Sequence, residues 1–153
     1  MAGWFTHLLV AFRALEKLPK SKQHLLNEHG NFHDYMFGSI AADIRYLSNA
    51  DREVTHEPFG KQSAFEVFTN KPFAAGYETH LIVDKEWKNI VEFFKIDLED
   101  FEQKFALYLG VDLHFRKSSN WLLPLMFSGD VDLADSNPLK KMGFGSRRVT
   151  AYK

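Results

Sequence analysis

One stretch limits the fold of this chain more than any other. Gly76-Tyr77-Glu78-Thr79-His80-Leu81-Ile82-Val83-Asp84-Lys85-Glu86-Trp87 reads as helix, and the helical pattern around it runs from about Pro72 to Phe94. Gly76 lies inside that helix. A glycine there costs roughly 1 kcal/mol against alanine, so it points to close packing or to room for a site. His80 and Asp84 stand four apart and project from one face. Imidazole and carboxylate on one face can chelate a divalent metal, although the pair taken alone reads first as a hydrogen-bonded helix pair. No alternating strand pattern of any length and no internal repeat is visible. The expected fold is therefore all-α, a single compact multi-helix domain in which facing helices can enclose a metal.

The rest of the chain supplies helices to face it. Phe5, Leu8, Leu9, Phe12, Leu15 and Leu18 have helical spacing, with Thr6 a candidate cap and Pro19 a stop. A short helix is expected over Ser21–Glu28, stopped by Gly30. The apolar run Phe32–Ile44 holds the small residues Gly38, Ser39, Ala41 and Ala42, which let another backbone approach, and it delivers Asp43 near its end. Ser48–Pro58 reads as a loop and Gly60–Thr69 as a short helix or extended segment. Leu98–Phe115, with apolar residues at Phe101, Phe105, Leu107, Leu109 and Leu113, is expected to be helical and capped by Asp97. Asn120–Ser128 is apolar and reads as helix. The composition changes at Gly129, so residues 1–128 are expected to form the helical metal-site region and 129–153 a loop-rich C-terminal segment of the same domain.

The 153 residues suit one domain with a sizeable core, and 15 Phe suggest a large aromatic core or an apolar cleft, with Trp87 a packing residue. The absence of Cys removes disulfides and thiolate sites, so any metal must be held by His, Asp and Glu. A net charge of −1 gives no basic field for nucleic acid. The apolar N-terminus lacks a leading positive charge and carries His7 within the run, which argues against a signal peptide. No stretch approaches the ~20 apolar residues that span a bilayer. The expected location is the cytoplasm.

Five residues with metal-ligating chemistry then fall in order: His7, Asp43, His56, His80 and Asp84. Zinc-like sites need three or four such groups converging from different elements. The segments carrying them are Gly38-Ser39-Ile40-Ala41-Ala42-Asp43-Ile44, Thr55-His56-Glu57-Pro58-Phe59 and Gly76-Tyr77-Glu78-Thr79-His80-Leu81-Ile82-Val83-Asp84, preceded by Thr6-His7. Their order and spacing over roughly residues 1–90 resemble the zinc-dependent phospholipase C family, which shares its fold with P1-type nucleases.

That resemblance implies that Asp43, His56, His80 and Asp84 are metal ligands. It implies that His7 shares a neighbouring ion with Asp84 as a bridge. It further implies metal-assisted attack of water on a small-molecule or lipid phosphoester, with Asp43 orienting the water or taking its proton. Family members carry a later His and a His-x-x-x-Glu pair for another ion. Here the only downstream His is His114, followed by Phe115-Arg116-Lys117-Ser118, so one or two zinc ions are expected rather than three. No leader is visible, so a mature N-terminal amine cannot be assigned as a ligand.

Two other functions fit the residues less completely. His33-Asp34 with His7 and Asp84 would suit an HD-type phosphohydrolase, and loss of the downstream ligands would suit a non-catalytic metal-binding scaffold. Gly143-Phe144-Gly145-Ser146-Arg147-Arg148 lacks the Lys and helix start of a P-loop and reads as a turn.

Overall fold

The structure is a computed structural model and describes residues 3–27, 30–44, 51–56, 62–97 and 99–119. Every element among the described residues is helical: α1 (Trp4–Lys17), α2 (Lys20–Asn27), α3 (Asn31–Ala41) with a 3-10 turn (Ala42–Ile44), α4 (Arg52–His56), α5 (Ala64–Val67), α6 (Lys71–Phe93) and α7 (Phe101–Ser119). The expected helix over Asn120–Ser128, the Gly143–Arg148 turn and the boundary at 128 lie outside the described residues.

α6 is the central element. Asn70 starts it: its Oδ1 accepts from Phe73 N at 3.0 Å, and Pro72 sits in the first turn, where its missing N–H costs nothing. Asn70 Nδ2 also donates to Asp34 Oδ2 at 2.8 Å, which ties this start to the first turn of α3. α3 and α6 make the most extensive helix contact among the described residues. They meet glycine against backbone. A Cβ on Gly76 would collide with the Tyr35 carbonyl oxygen and lie 2.8 Å from Ser39 N, and one on Gly38 would collide with the Phe73 carbonyl oxygen and lie 3.0 Å from Tyr77 N. The two glycines therefore allow the helix axes to approach far closer than larger residues would permit.

Three apolar groups flank this crossing. Ala41, Ala42, Ala64, Phe68, Phe73, Ala74 and Tyr77 pack at one end. Leu8 and Ala11 of α1 pack on Tyr35 and Met36 of α3. Val83, Trp87 and Val91 of α6 receive Ile96, Leu107 and Val111, which docks α7. Trp87 is thus a packing residue, as expected. Phenylalanine divides: Phe68 and Phe73 are core, whereas Phe65, Phe93, Phe94 and Phe105 are exposed.

Several local expectations are corrected. α1 is preceded by Gly3 as N-cap, and Thr6 lies buried inside the helix. Gly30, with φ of 82°, is the N-cap that opens α3. Asp100, not Asp97, caps α7, its Oδ1 accepting from Glu102 N at 2.9 Å and Gln103 N at 3.0 Å. α7 packs through Leu107 and Val111, and the stripe Phe105, Leu109 and Leu113 is exposed. Arg52–His56, expected as loop, is a helical turn. Five such residues do not form helix alone. Tertiary contacts hold them, among them the hydrogen bond that the Tyr77 hydroxyl donates to the Thr55 carbonyl.

Glycine substitutions separate packing from propensity. Gly110 lies in α7, where a Cβ would meet nothing within 4 Å, so Gly110→Ala is expected to stabilise by about 1 kcal/mol. Gly76→Ala gains the same helix propensity but forces a collision of backbones. It is expected to destabilise by about 3 kcal/mol or more. Thermal unfolding followed by circular dichroism should show opposite shifts.

Candidate metal centre

Four elements converge below the crossing of α3 and α6. α1 supplies His7, the 3-10 turn after α3 supplies Asp43, α4 supplies His56, and α6 supplies His80 and Asp84. All five side chains are buried, His7 and His80 completely. The crossing explains much of this. It brings the last turn of α3 against the middle of α6, so His80 Nδ1 lies 2.9 Å from the Ser39 carbonyl oxygen and Asp43 arrives within 3.9 Å of His80 Nε2.

Each Nε2 faces carboxylate oxygen. His7 Nε2 lies 3.4 Å from Asp84 Oδ1 and 3.8 Å from Asp43 Oδ2. His56 Nε2 lies 3.4 Å from Asp84 Oδ2 and 3.7 Å from Asp43 Oδ1. His80 Nε2 lies 3.9 and 4.0 Å from the same two carboxylates. The rings of His7 and His80 stack, with centroids 3.8 Å apart and planes 12° from parallel.

These distances discriminate between a hydrogen-bonded network and a ligand cage. Direct N–H···O bonds run at roughly 2.7–3.2 Å. Zinc bonds of about 2.0–2.2 Å in a tetrahedron leave neighbouring ligand atoms roughly 3.3–3.6 Å apart. The observed separations of 3.4–4.0 Å lie beyond the usual range of the first, and the shortest of them match the second. Two overlapping sets, His7–Asp43–His80 and His56–His80–Asp84, each bring their donor atoms within 4.8 Å of one another and can hold a metal ion. His80 belongs to both, but one Nε2 binds one ion.

The tautomers point the same way. The Ser39 carbonyl can only accept, so His80 Nδ1 carries the proton and Nε2 presents a lone pair. Thr55 Oγ1 donates to the Arg52 carbonyl at 3.3 Å and is left to accept from His56 Nδ1 at 2.9 Å. His56 Nε2 is then also a lone-pair nitrogen, and it lies 3.4 Å from His80 Nε2. Two lone pairs that face each other repel, and a cation between or beside them would relieve that repulsion. A proton is a poor candidate at His80. Burial, with the neighbouring His7 adding to it, pushes its pKa down to about 3, against roughly 6.5 in water. Neither ring nitrogen of buried His7 makes a hydrogen bond among the described residues, which an ion at Nε2 would remedy. Burial raises the Asp84 carboxyl, but His56, His7 and His80 outweigh it and hold the group below the usual carboxylate range, as a ligand carboxylate requires.

All five residues singled out in the sequence therefore meet in one cluster. The HD-type set does not: among the described residues neither His33 nor Asp34 belongs to a metal-capable group, and Asp34 accepts from Asn70 instead. Arg52 sits 3.3 Å from Asp84 Oδ2. Thr55 and the Ser39 carbonyl were not legible as orienting groups. Thr55 had one signal, its place beside His56, whereas a backbone carbonyl leaves none.

No curated protein and no solved structure matches the chain. A family model described as zinc-dependent phospholipase C matches residues 6–115, a span containing all five donors. On that match, with an all-helical fold of the phospholipase C/P1 nuclease type, the chain belongs to the zinc-dependent phospholipase C family.

Proposed function

We propose that this protein is a metal-dependent hydrolase of a phosphoester, holding one or two zinc ions among His7, Asp43, His56, His80 and Asp84. The observation that carries the reading is the pair of Nε2 lone pairs of His56 and His80, fixed by Thr55 and Ser39, converging with two buried carboxylates. Zinc suits a donor set of imidazole and carboxylate without thiolate. When bound, it supplies Lewis acidity, lowering the pKa of water towards 7 and neutralising charge on phosphate oxygens.

The chain's own residues do the remaining work. Ser39 and Thr55 keep the imidazoles turned with Nε2 inward. His7, stacked on His80, closes the cluster on the α1 side. Asp84 offers one oxygen towards His7 and the other towards His56, so its carboxylate would help hold an ion beside either imidazole. Asp43, almost fully buried and within 3.9 Å of all three imidazoles, is placed to orient the attacking water or take its proton. The substrate is a small-molecule or lipid phosphoester, and among the described residues no helix is long and apolar enough to cross a membrane.

Three measurements test this reading. The purified protein is expected to contain one or two zinc ions and to hydrolyse phosphoester substrates in a chelator-sensitive manner. Protein that takes up no metal under replete conditions would sink the proposal, and zinc without turnover would make the chain a metal-binding scaffold. Asp84→Asn should lose metal and activity together, whereas His33→Ala should leave both nearly intact; the opposite pattern would restore the HD-type assignment. Thr55→Val removes the acceptor of His56 Nδ1, so competition with a chelating dye should show zinc affinity reduced about 10–100-fold.

A further inference from the structure

The cluster is not equally deep on all sides. The side chains of His7 and His80 are 0% exposed and that of Asp43 is 1%, whereas Asp84 reaches 7%. Asp84 therefore marks the edge nearest solvent. Arg52 stands on that edge. It lies four residues before His56 on α4, so both side chains project from one face of that turn. Its own side chain is 45% exposed, yet its Nη2 reaches within 3.3 Å of Asp84 Oδ2, the same oxygen that faces His56 Nε2 at 3.4 Å. The guanidinium thus spans from solvent to the donor set.

We propose that Arg52 is the phosphate-binding residue of this site, receiving the substrate's phosphoryl oxygens at the open edge beside Asp84. The assignment rests on the metal-dependent phosphoesterase reading above. Charge supports it. Asp43 and Asp84 bring two negative charges among three imidazoles, and one divalent ion cancels them. Arg52 then adds a positive charge at the edge of the donor set, which suits a phosphodiester anion. Geometry supports it as well, because a guanidinium presents N–H groups in a planar fork that fits two phosphate oxygens at once. Arg52 would stay anchored through the Asp84 carboxylate while its half-exposed side chain remains within reach of solvent. The ligand chemistry, a phosphate mono- or diester group, is shared by lipid headgroups and by small soluble phosphates.

The test compares zinc-loaded wild type, Arg52→Gln and Arg52→Lys by calorimetry, with inorganic phosphate as one probe and monomeric short-chain phosphatidylcholine as the other. Zinc content is measured on each protein. Arg52→Gln is expected to keep its zinc and bind phosphate about tenfold or more weakly, with Arg52→Lys between it and wild type because charge remains and the fork is lost. Preference of the wild type for the lipid probe, lost in Arg52→Gln, would assign the site to a headgroup; equal loss for both probes would assign it to phosphate in general. Unchanged phosphate affinity in zinc-loaded Arg52→Gln would overturn the assignment while leaving the metal reading intact. So would loss of zinc from that variant, which would make Arg52 a positioning residue for Asp84. A wild type that binds no zinc would take both readings down together.

Discussion

The close crossing of α3 and α6 is the constraint on which the rest of the molecule depends. Two helices rarely bring backbone against backbone, because side chains hold axes roughly 8–10 Å apart. Here Gly38 meets Phe73 and Tyr77 while Gly76 meets Tyr35 and Ser39, each glycine lying in the other helix's groove. Each glycine costs helix propensity. The cost is offset by burial of Tyr35, Met36, Phe73 and Tyr77 around the contact. The functional consequence is local. Only at this separation does the Ser39 carbonyl reach His80 Nδ1, and only then does the turn after α3 carry Asp43 to the imidazoles.

The second constraint is electrostatic. Two carboxylates and three imidazoles buried together would be costly without a cation, because charges removed from water need close compensation. Among the described residues Arg52 compensates only at the edge, through Asp84. The inner carboxylate, Asp43, faces imidazole nitrogens at 3.7–3.9 Å. Structural polarity and chemical function are therefore the same problem in this fold. The arrangement that a cation would stabilise is also the one that would activate water, and α6 contributes to both by carrying His80 and Asp84 one turn apart.

Much of this was legible in the sequence because it depends on periodicity and spacing. The i, i+4 pair on one long helix, the interior Gly76 and the small residues before Asp43 each have a direct structural meaning, and α6 differs from its expected limits by one residue at either end. What was not legible depends on tertiary contact. Arg52–His56 has the composition of a loop, and its helical turn owes its existence to partners such as Tyr77. The stripe Phe105, Leu109 and Leu113 has the spacing of a buried face, yet α7 turns Leu107 and Val111 to Trp87 and leaves that stripe exposed. The orienting role of Ser39 is carried by its carbonyl, which every residue type possesses. The pairing of Arg52 with Asp84 was not legible either, since 32 residues separate them and only the fold brings them within 3.3 Å.

The most direct measurement is anomalous X-ray diffraction at the zinc absorption edge from crystals of the zinc-loaded protein. One or two strong peaks are expected inside the cluster, about 2.0–2.2 Å from imidazole nitrogens and carboxylate oxygens, with His80 Nε2 bound to one of them. Anomalous density that lies elsewhere, or a cluster whose imidazoles and carboxylates close on each other by hydrogen bonds with no zinc between them, would contradict the metal centre as described.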